Sequence, residues 1–376
     1  MANLKKPERI LFLVSLTIIL LGILVLASVS AVFSIEKYGS PSYLLIHQIM
    51  HGLLLGLVLG AVAFLLPLKV FKKIGFWLFL ATMLTLAILV FPNRLGIKLL
   101  GAARWIDLGL ISFQPSEFLK FAIIIYLGAW LSKDRDVARS SLGKRFLGLI
   151  SPVAPFLLII GLVALMLVLQ PDAGTLVVIA ATAIVMFFLA KTPFWQNFLI
   201  VGLGLLGLII LIKIAPYRLN RWLIFLHPTQ DPMGMGYQLK QSLIAIGSGG
   251  WSGLGLGLSR QKYGFLPQTI GDAIFPVFAE ETGFIGAMSM ILLFLVFIWQ
   301  GFRISRLAKD RFSQLVAAGI TFWIGFQALV NICSMTGLLP LTGVPLPLIS
   351  YGGSHLAAEM MGLGLLLNIS KQTIDS

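Results

Sequence analysis

Ten stretches of this chain are apolar over about the length needed to cross a membrane. They cover residues 10–32, 45–68, 74–91, 115–131, 149–169, 173–190, 195–215, 273–301, 314–333 and 350–370. A bilayer core of about 30 Å takes about 20 helical residues, so each stretch is a candidate span. Composition closes off the soluble alternative. The chain is 58% hydrophobic and 11% charged, whereas a soluble domain carries about 25% charged residues. A β-barrel would alternate apolar and polar residues in segments of about ten, not run unbroken. The predicted fold is an all-α polytopic membrane protein with ten transmembrane helices. It reads as a single domain over 1–376, with a large extracytoplasmic loop, 216–272, between helices seven and eight.

The net charge of +14 suggests nucleic acid until its placement is considered. Most lysines and arginines sit in loops between apolar stretches, so no nucleic-acid partner is expected. The short loops with Lys69, Lys72 and Lys73, and with Arg303, Arg306, Lys309 and Arg311, point to the cytoplasm. Lys5, Lys6, Arg135, Arg139, Lys144 and Arg145 fall on the same side. An even number of spans then puts both termini in the cytoplasm. The first apolar run exceeds the 7–15 residues usual for a signal peptide and reads as a retained helix. A single cysteine, Cys333, excludes an internal disulfide and a site of several thiolates. His47 and His51 are four apart but lack the intervening Glu of a zincin.

Within the loop 216–272, residues 237–246 are moderately polar and read as a re-entrant or surface-lying stretch. Gly247, Gly249, Gly250, Gly253, Gly255 and Gly257 follow, a density that would not hold a regular helix. No Lys-Ser/Thr pair makes this a nucleotide loop.

Charges inside spans are costly unless paired or wet, so they nominate sites. Glu117 and Lys120 share a helix face and read as a structural ion pair or as the wall of a polar cavity. Asp172 is a helix cap or a substrate contact. Asp272 has the same two readings, with Arg260 and Lys262 upstream and Pro267 shaping the loop before it. At helical spacing Glu280 and Glu281 lie about 80° and 180° round from Asp272. They cannot both face its cavity unless the helix is distorted, and one is expected to pair with a neighbouring helix. His355 and Glu359, four apart, form a satisfied pair or part of a site.

Five stretches make the chain recognisable: GAARWIDLGLISFQPSEFLK (101–120), QPDAGT (170–175), 225–262, FLPQTIGDAIFPVFAEETGFIGA (265–287) and GLLPLTGVPLPLISYGGS (337–354). Nearly end to end the chain resembles the SEDS family of bacterial membrane glycosyltransferases, and its cell-division branch more than its elongation branch. The resemblance implies polymerisation of lipid II into glycan strands at the outer face of the cytoplasmic membrane, with undecaprenyl diphosphate as leaving group. It implies a class B penicillin-binding protein, a single-span transpeptidase, as partner, with other division membrane proteins, and a place at the septum. The family's essential aspartate falls on Asp272, the expected catalytic base. Arg104, Arg218, Arg221, Arg260 and Lys262 are the candidates for the diphosphate. Glu117, Lys120, Asp172, Ser354, His355 and Glu359 complete the candidate substrate contacts. No cofactor is assigned, and a divalent ion (Mg or Mn) on the diphosphate is left open. Three positions depart from the family pattern: Gln268 where an acid is common, Gly271-Asp272-Ala273 for Thr-Asp-Phe, and Ser354-His355…Glu359 for Ser-Ser…Asn. Elongation or sporulation use, and a lipid-precursor flippase, remain as alternatives.

Overall fold

A computed structural model of the chain describes residues 8–90, 96–99, 102–107, 112–133, 152–214, 216–228, 231 and 234–373. Lys5, Lys6, Arg135, Arg139, Lys144 and Arg145 lie outside the described residues. Helices α1 (Arg9–Tyr38), α2 (Tyr43–Leu65) and α3 (Leu68–Val90) come first. A small antiparallel sheet follows, β1 (Gly96–Leu99), β2 (Ala102–Asp107) and β3 (Ser112–Phe113), paired in that order. Then come α4 (Pro115–Leu131), α5 (Val153–Leu169), α6 (Ala173–Leu189) and α7 (Phe194–Ile214). The loop 216–272 holds α8 (Pro216–Leu226) and α9 (Met235–Ser248), and the chain closes with α10 (Ile274–Leu307), α11 (Arg311–Met335) and α12 (Gly353–Ser370).

Each of the ten apolar stretches thus contains one helix. Six of them, α1, α2, α3, α7, α10 and α11, are long and apolar enough to cross a membrane, and α5 and α6 are shorter apolar helices. The molecule is an all-α polytopic membrane protein apart from the sheet. The sheet amends the purely helical reading; its strands are two to six residues long, too short to register against the apolar background. Burial orders the helices. The apolar window of α11 is 78% buried and that of α7 is 6% buried, so α11 is central and α7 faces outward. Between α2 and α12, Gly52, Gly56 and Gly60 lie at four-residue spacing against Gly353, Met360 and Gly364. A side chain on Gly364 would strike the backbone of Gly60. This is the small-residue packing that membrane helices use in place of a hydrophobic driving force.

The helix α10 is broken at Gly283, whose φ of 69° and ψ of −168° interrupt the helical backbone. A broken span must re-satisfy its freed backbone groups, and the glycine loop does so. The N–H groups of Leu254 and Gly255 donate to the carbonyls of Glu280 and Glu281 at 3.0 Å each. Phe284 and Ile285 donate to Gly250 and Trp251 at 2.8 and 3.2 Å. A Cβ on Gly283 would collide with the backbone of Trp251 and Gly253, so glycine on both sides permits the contact. Gly247 belongs to the last turn of α9, so the non-helical glycine run begins two residues later than its composition suggested.

Candidate active site

Asp272 stands one residue before the N-cap of α10, which is Ala273 and makes no side-chain cap bond. The helix-cap reading of Asp272 is therefore not realised. Its carboxyl is half-buried. Removal from water pushes it up to about 6, against the pull of nearby backbone N–H groups and of the Arg221 guanidinium. The Gln238 amide of α9 also faces it, outside strict hydrogen-bond geometry. Arg221, on α8, donates through one Nη to the carbonyls of Leu341 and Thr342, at 3.1 and 2.9 Å. With Ile224, Phe225, Met235, Leu239 and Leu341 it lines a small cleft. Asp272 and Arg221 are thus brought together from two ends of the loop 216–272 by the connection between α11 and α12.

The other predicted cations are placed differently. Arg104 donates to the carbonyls of Gln170 and Pro171, at 3.1 and 2.5 Å, and so holds the turn between α5 and α6. Arg218 donates to the Leu211 carbonyl near the end of α7. Arg260 is exposed. Lys262 is buried, with its ammonium 3.2 Å from Glu281, 3.2 Å from the Ser28 hydroxyl and 2.6 Å from the Gly257 carbonyl. Three donors with three acceptors leave its hydrogen-bonding capacity filled.

Glu280 and Glu281 both turn to the glycine loop and neither is bound at Asp272, so the condition that they share its cavity does not arise. Glu280 accepts from the Ser259 hydroxyl and from the backbone N–H groups of Arg260 and Gln261. Glu281 takes Lys262 and the hydroxyl of Ser28, which lies on the neighbouring helix α1. These carboxylates hold the loop that leads to Asp272.

Asp172 caps α6, accepting from the Thr175 N–H at 3.2 Å and from the Ser116 hydroxyl at 3.2 Å. Glu117 and Lys120 form the expected pair at 2.8 Å. His355 joins them, with Nδ1 2.8 Å from Glu117 and Nε2 in ion-pair contact with Glu359 at 3.2 Å, though not aligned as a hydrogen bond. Gln327 connects the whole: it accepts from Lys120 and from the Trp323 indole, and donates to Glu359 and to the Pro345 carbonyl. Glu359 accepts from the Leu348 N–H at 2.7 Å, steadying a leucine whose φ is 63°. Ser354 bridges the Ser112 carbonyl and the Gln114 N–H, tying α12 to β3. These side chains bond to one another and to nearby backbone, with His355 Nε2 held only by its ion-pair contact to Glu359.

Sequence reasoning passed over Gln238, Ser350 and the carbonyls of 341–345. The dense Pro and Gly of 337–353 marked that connection as irregular backbone, and irregular backbone at membrane depth belongs where it is buried in protein or lines a cavity. Among the described residues no three His, Cys, Asp or Glu side chains gather to hold a metal. A lone carboxylate beside a guanidinium does not fit a protein-held divalent ion.

The fold is that of a polytopic membrane protein, with a raised carboxylate faced by an arginine where a long loop meets a long apolar helix. The chain matches the family described as Cell cycle protein (FtsW, RodA and SpoVE) over residues 8–374. It is 39% identical over 362 residues to the probable peptidoglycan glycosyltransferase FtsW of Coxiella burnetii, covering 96% of this chain and 95% of that one. It is 37% identical over 375 residues to the stage V sporulation protein E of Bacillus subtilis, covering 97% of each. A chain solved in work on structural coordination of polymerization and crosslinking by a peptidoglycan synthase complex superposes with a TM-score of 0.77 at 29% identity, covering 97% of each. The rod shape determining protein RodA of Thermus thermophilus gives 0.69 at 26% identity, covering 98% of each. The chain belongs to this family, the SEDS membrane glycosyltransferases of cell-wall synthesis.

Proposed function

We propose that the protein polymerises lipid II into β-1,4-linked glycan strands, with Asp272 as general base. The acceptor's C4 hydroxyl attacks the donor's anomeric carbon, the bond to the diphosphate breaks, and undecaprenyl diphosphate leaves. The α-linked donor becomes a β link, so the centre inverts and no covalent enzyme intermediate is required. Asp272 takes the hydroxyl proton. The diphosphate departs as an anion and calls for positive charge rather than an acid. Of the predicted cations, Arg221 is the one favoured for this role, because it faces Asp272. Lys262, Arg104 and Arg218 have protein acceptors, as Arg221 has in the Leu341 and Thr342 carbonyls, so its facing Asp272 is what sets Arg221 apart.

The single observation that carries the reading is the half-buried Asp272 carboxyl, raised to about 6, outside any cap and facing Arg221. Asp272→Asn is expected to lower glycan-strand yield from labelled lipid II by on the order of 10²-fold or more, with fold and partner binding intact. Asp172→Asn, at a cap, serves as the control, since both residue types cap well. Robust polymerisation by the Asp272→Asn protein would remove the base.

In this reading all ten helices cross the cytoplasmic membrane, both termini are cytoplasmic, and 216–272 lies outside with the active site. A class B penicillin-binding protein is the expected partner, in line with the polymerization and crosslinking named for the synthase complex. The many FtsW relatives favour a septal role; the sporulation relative supports the alternative, and localisation to septum, sidewall or forespore separates them. A flippase would make no polymer in detergent.

A further inference from the structure

Three consecutive carbonyls in the turn before α10 each receive a hydrogen bond from outside it. The Ile270 carbonyl takes the Tyr351 N–H at 2.9 Å, the Gly271 carbonyl the Ser350 hydroxyl at 2.7 Å, and the Asp272 carbonyl the Asn331 amide at 2.8 Å. Turn backbone has no ladder to satisfy it, so these donors decide where the turn lies. Asn331, on α11, and Ser350, before α12, are both buried. Each is also bound to the α11–α12 connection. The Asn331 amide donates to the Val344 carbonyl at 2.8 Å, and the Ser350 hydroxyl accepts the Leu346 N–H at 2.9 Å. The same connection holds Arg221 through the carbonyls of Leu341 and Thr342. One short segment, 341–346, therefore carries the anchors of both the carboxylate and the guanidinium.

We propose that Asn331 and Ser350 are positioning residues that set the place of Asp272 and its spacing from Arg221. The proposal rests on the reading of Asp272 as the base. Neither residue has a part in proton transfer. Each fixes the backbone from which the carboxylate projects, and by keeping the turn packed each keeps water from that carboxylate. A displacement of about 1 Å at a reacting group costs up to about 10²-fold in rate, which gives the anchors kinetic weight.

The test uses full-length protein purified with its transpeptidase partner, and reads kcat, KM for lipid II, the pH profile of kcat and thermal unfolding. Asn331→Ala and Ser350→Ala are expected to lower kcat about tenfold or more while KM stays within about twofold. The acid limb of kcat should move below its wild-type position in both, because a loosened turn admits water to the carboxyl and relieves its desolvation. Ser350→Thr, which keeps the hydroxyl, should restore most of the rate. Wild-type kcat and an unmoved acid limb in folded Asn331→Ala and Ser350→Ala proteins would overturn the proposal, as would a Ser350→Thr protein no better than Ser350→Ala. If Asn331→Ala does not purify as a folded protein, the Ser350 pair decides alone. Asp272→Asn assayed alongside separates the two readings: an inactive Asp272→Asn with unaffected anchor variants sinks only the positioning role, whereas an active one sinks both.

Discussion

At Asp272 the protein holds a carboxyl that titrates at about 6 when folded and near 3.8 when unfolded. The folded state binds this proton more tightly, so its stabilising contribution is complete below a pH of about 3.8 and is lost as pH rises through about 6. The loss is on the order of 2–3 kcal/mol. Asp272→Asn should therefore unfold at a higher temperature than wild type at pH 7.5 and at the same temperature at pH 3.5, as read by thermal unfolding in detergent; equal stability at both would place the carboxyl in water. Under the proposed role activity runs the other way, since a base must be ionised. The rate should rise with pH and level off above about 6. Arg221→Ala removes the charge that draws this carboxyl down, so the acid limb should shift to higher pH as the rate falls. Arg221→Lys should keep the limb near its place while losing rate, because a point charge does not reproduce a planar fork. A limb that stays put in Arg221→Ala would separate the two groups. From its position alone Asp272 read as a cap or a contact, just as Asp172 did, and only the family resemblance carried by residues 265–287 singled it out. Its anchors were not legible, since Asn331 and Ser350 reach it from 59 and 79 residues away.

At the scale of elements the break in α10 governs the loop that carries Asp272. Gly283→Ala combines a left-handed φ of 69° with a collision against Trp251 and Gly253. Gly250→Ala shares the left-handed φ, 54°, but points into open space. The first should abolish recovery of folded protein, and the second should cost about 1–2 kcal/mol. Monodispersity and thermal unfolding of the two variants would show this; equal behaviour would mean that the loop does not rest on the break. The helices of the ten apolar stretches were readable because an unbroken apolar run is a local property, although six of them are long and apolar enough to cross a membrane. The break was not, because Gly283 looks like any other glycine tolerated in a span until its partner loop is known. That one of Glu280 and Glu281 would reach a neighbouring helix was expected, and Glu281 does so at Ser28; their partners in the glycine loop were hidden for the same reason as the break, and so was the junction of His355 with Glu117, 238 residues apart in the chain.

Over the whole molecule the orientation proposed from loop charge has a direct test. A cysteine replacing exposed Tyr263, with Cys333→Ser as background, should react with an impermeant maleimide added to intact cells. Protection at 263 in cells, with labelling after lysis, would invert the map. Partner dependence follows from the same architecture. Asp272, the proposed base, rides on a long loop fastened at a few points, so a partner that favours the fastened state should raise polymerisation several-fold without chemistry of its own, even with its serine nucleophile replaced. Equal rates with and without it would end that idea. The loop's order in the chain has a further consequence for biosynthesis. An acidic residue in a helix entering the bilayer is costly unless it is paired, and α10 carries two in succession in its first turns, Glu280 and Glu281. Their partners are all made earlier: Ser28 on α1, then Ser259 and Lys262. When the ribosome delivers α10, the groups that neutralise it are already at hand, so the N-to-C order of synthesis is itself the order in which this span becomes acceptable to lipid.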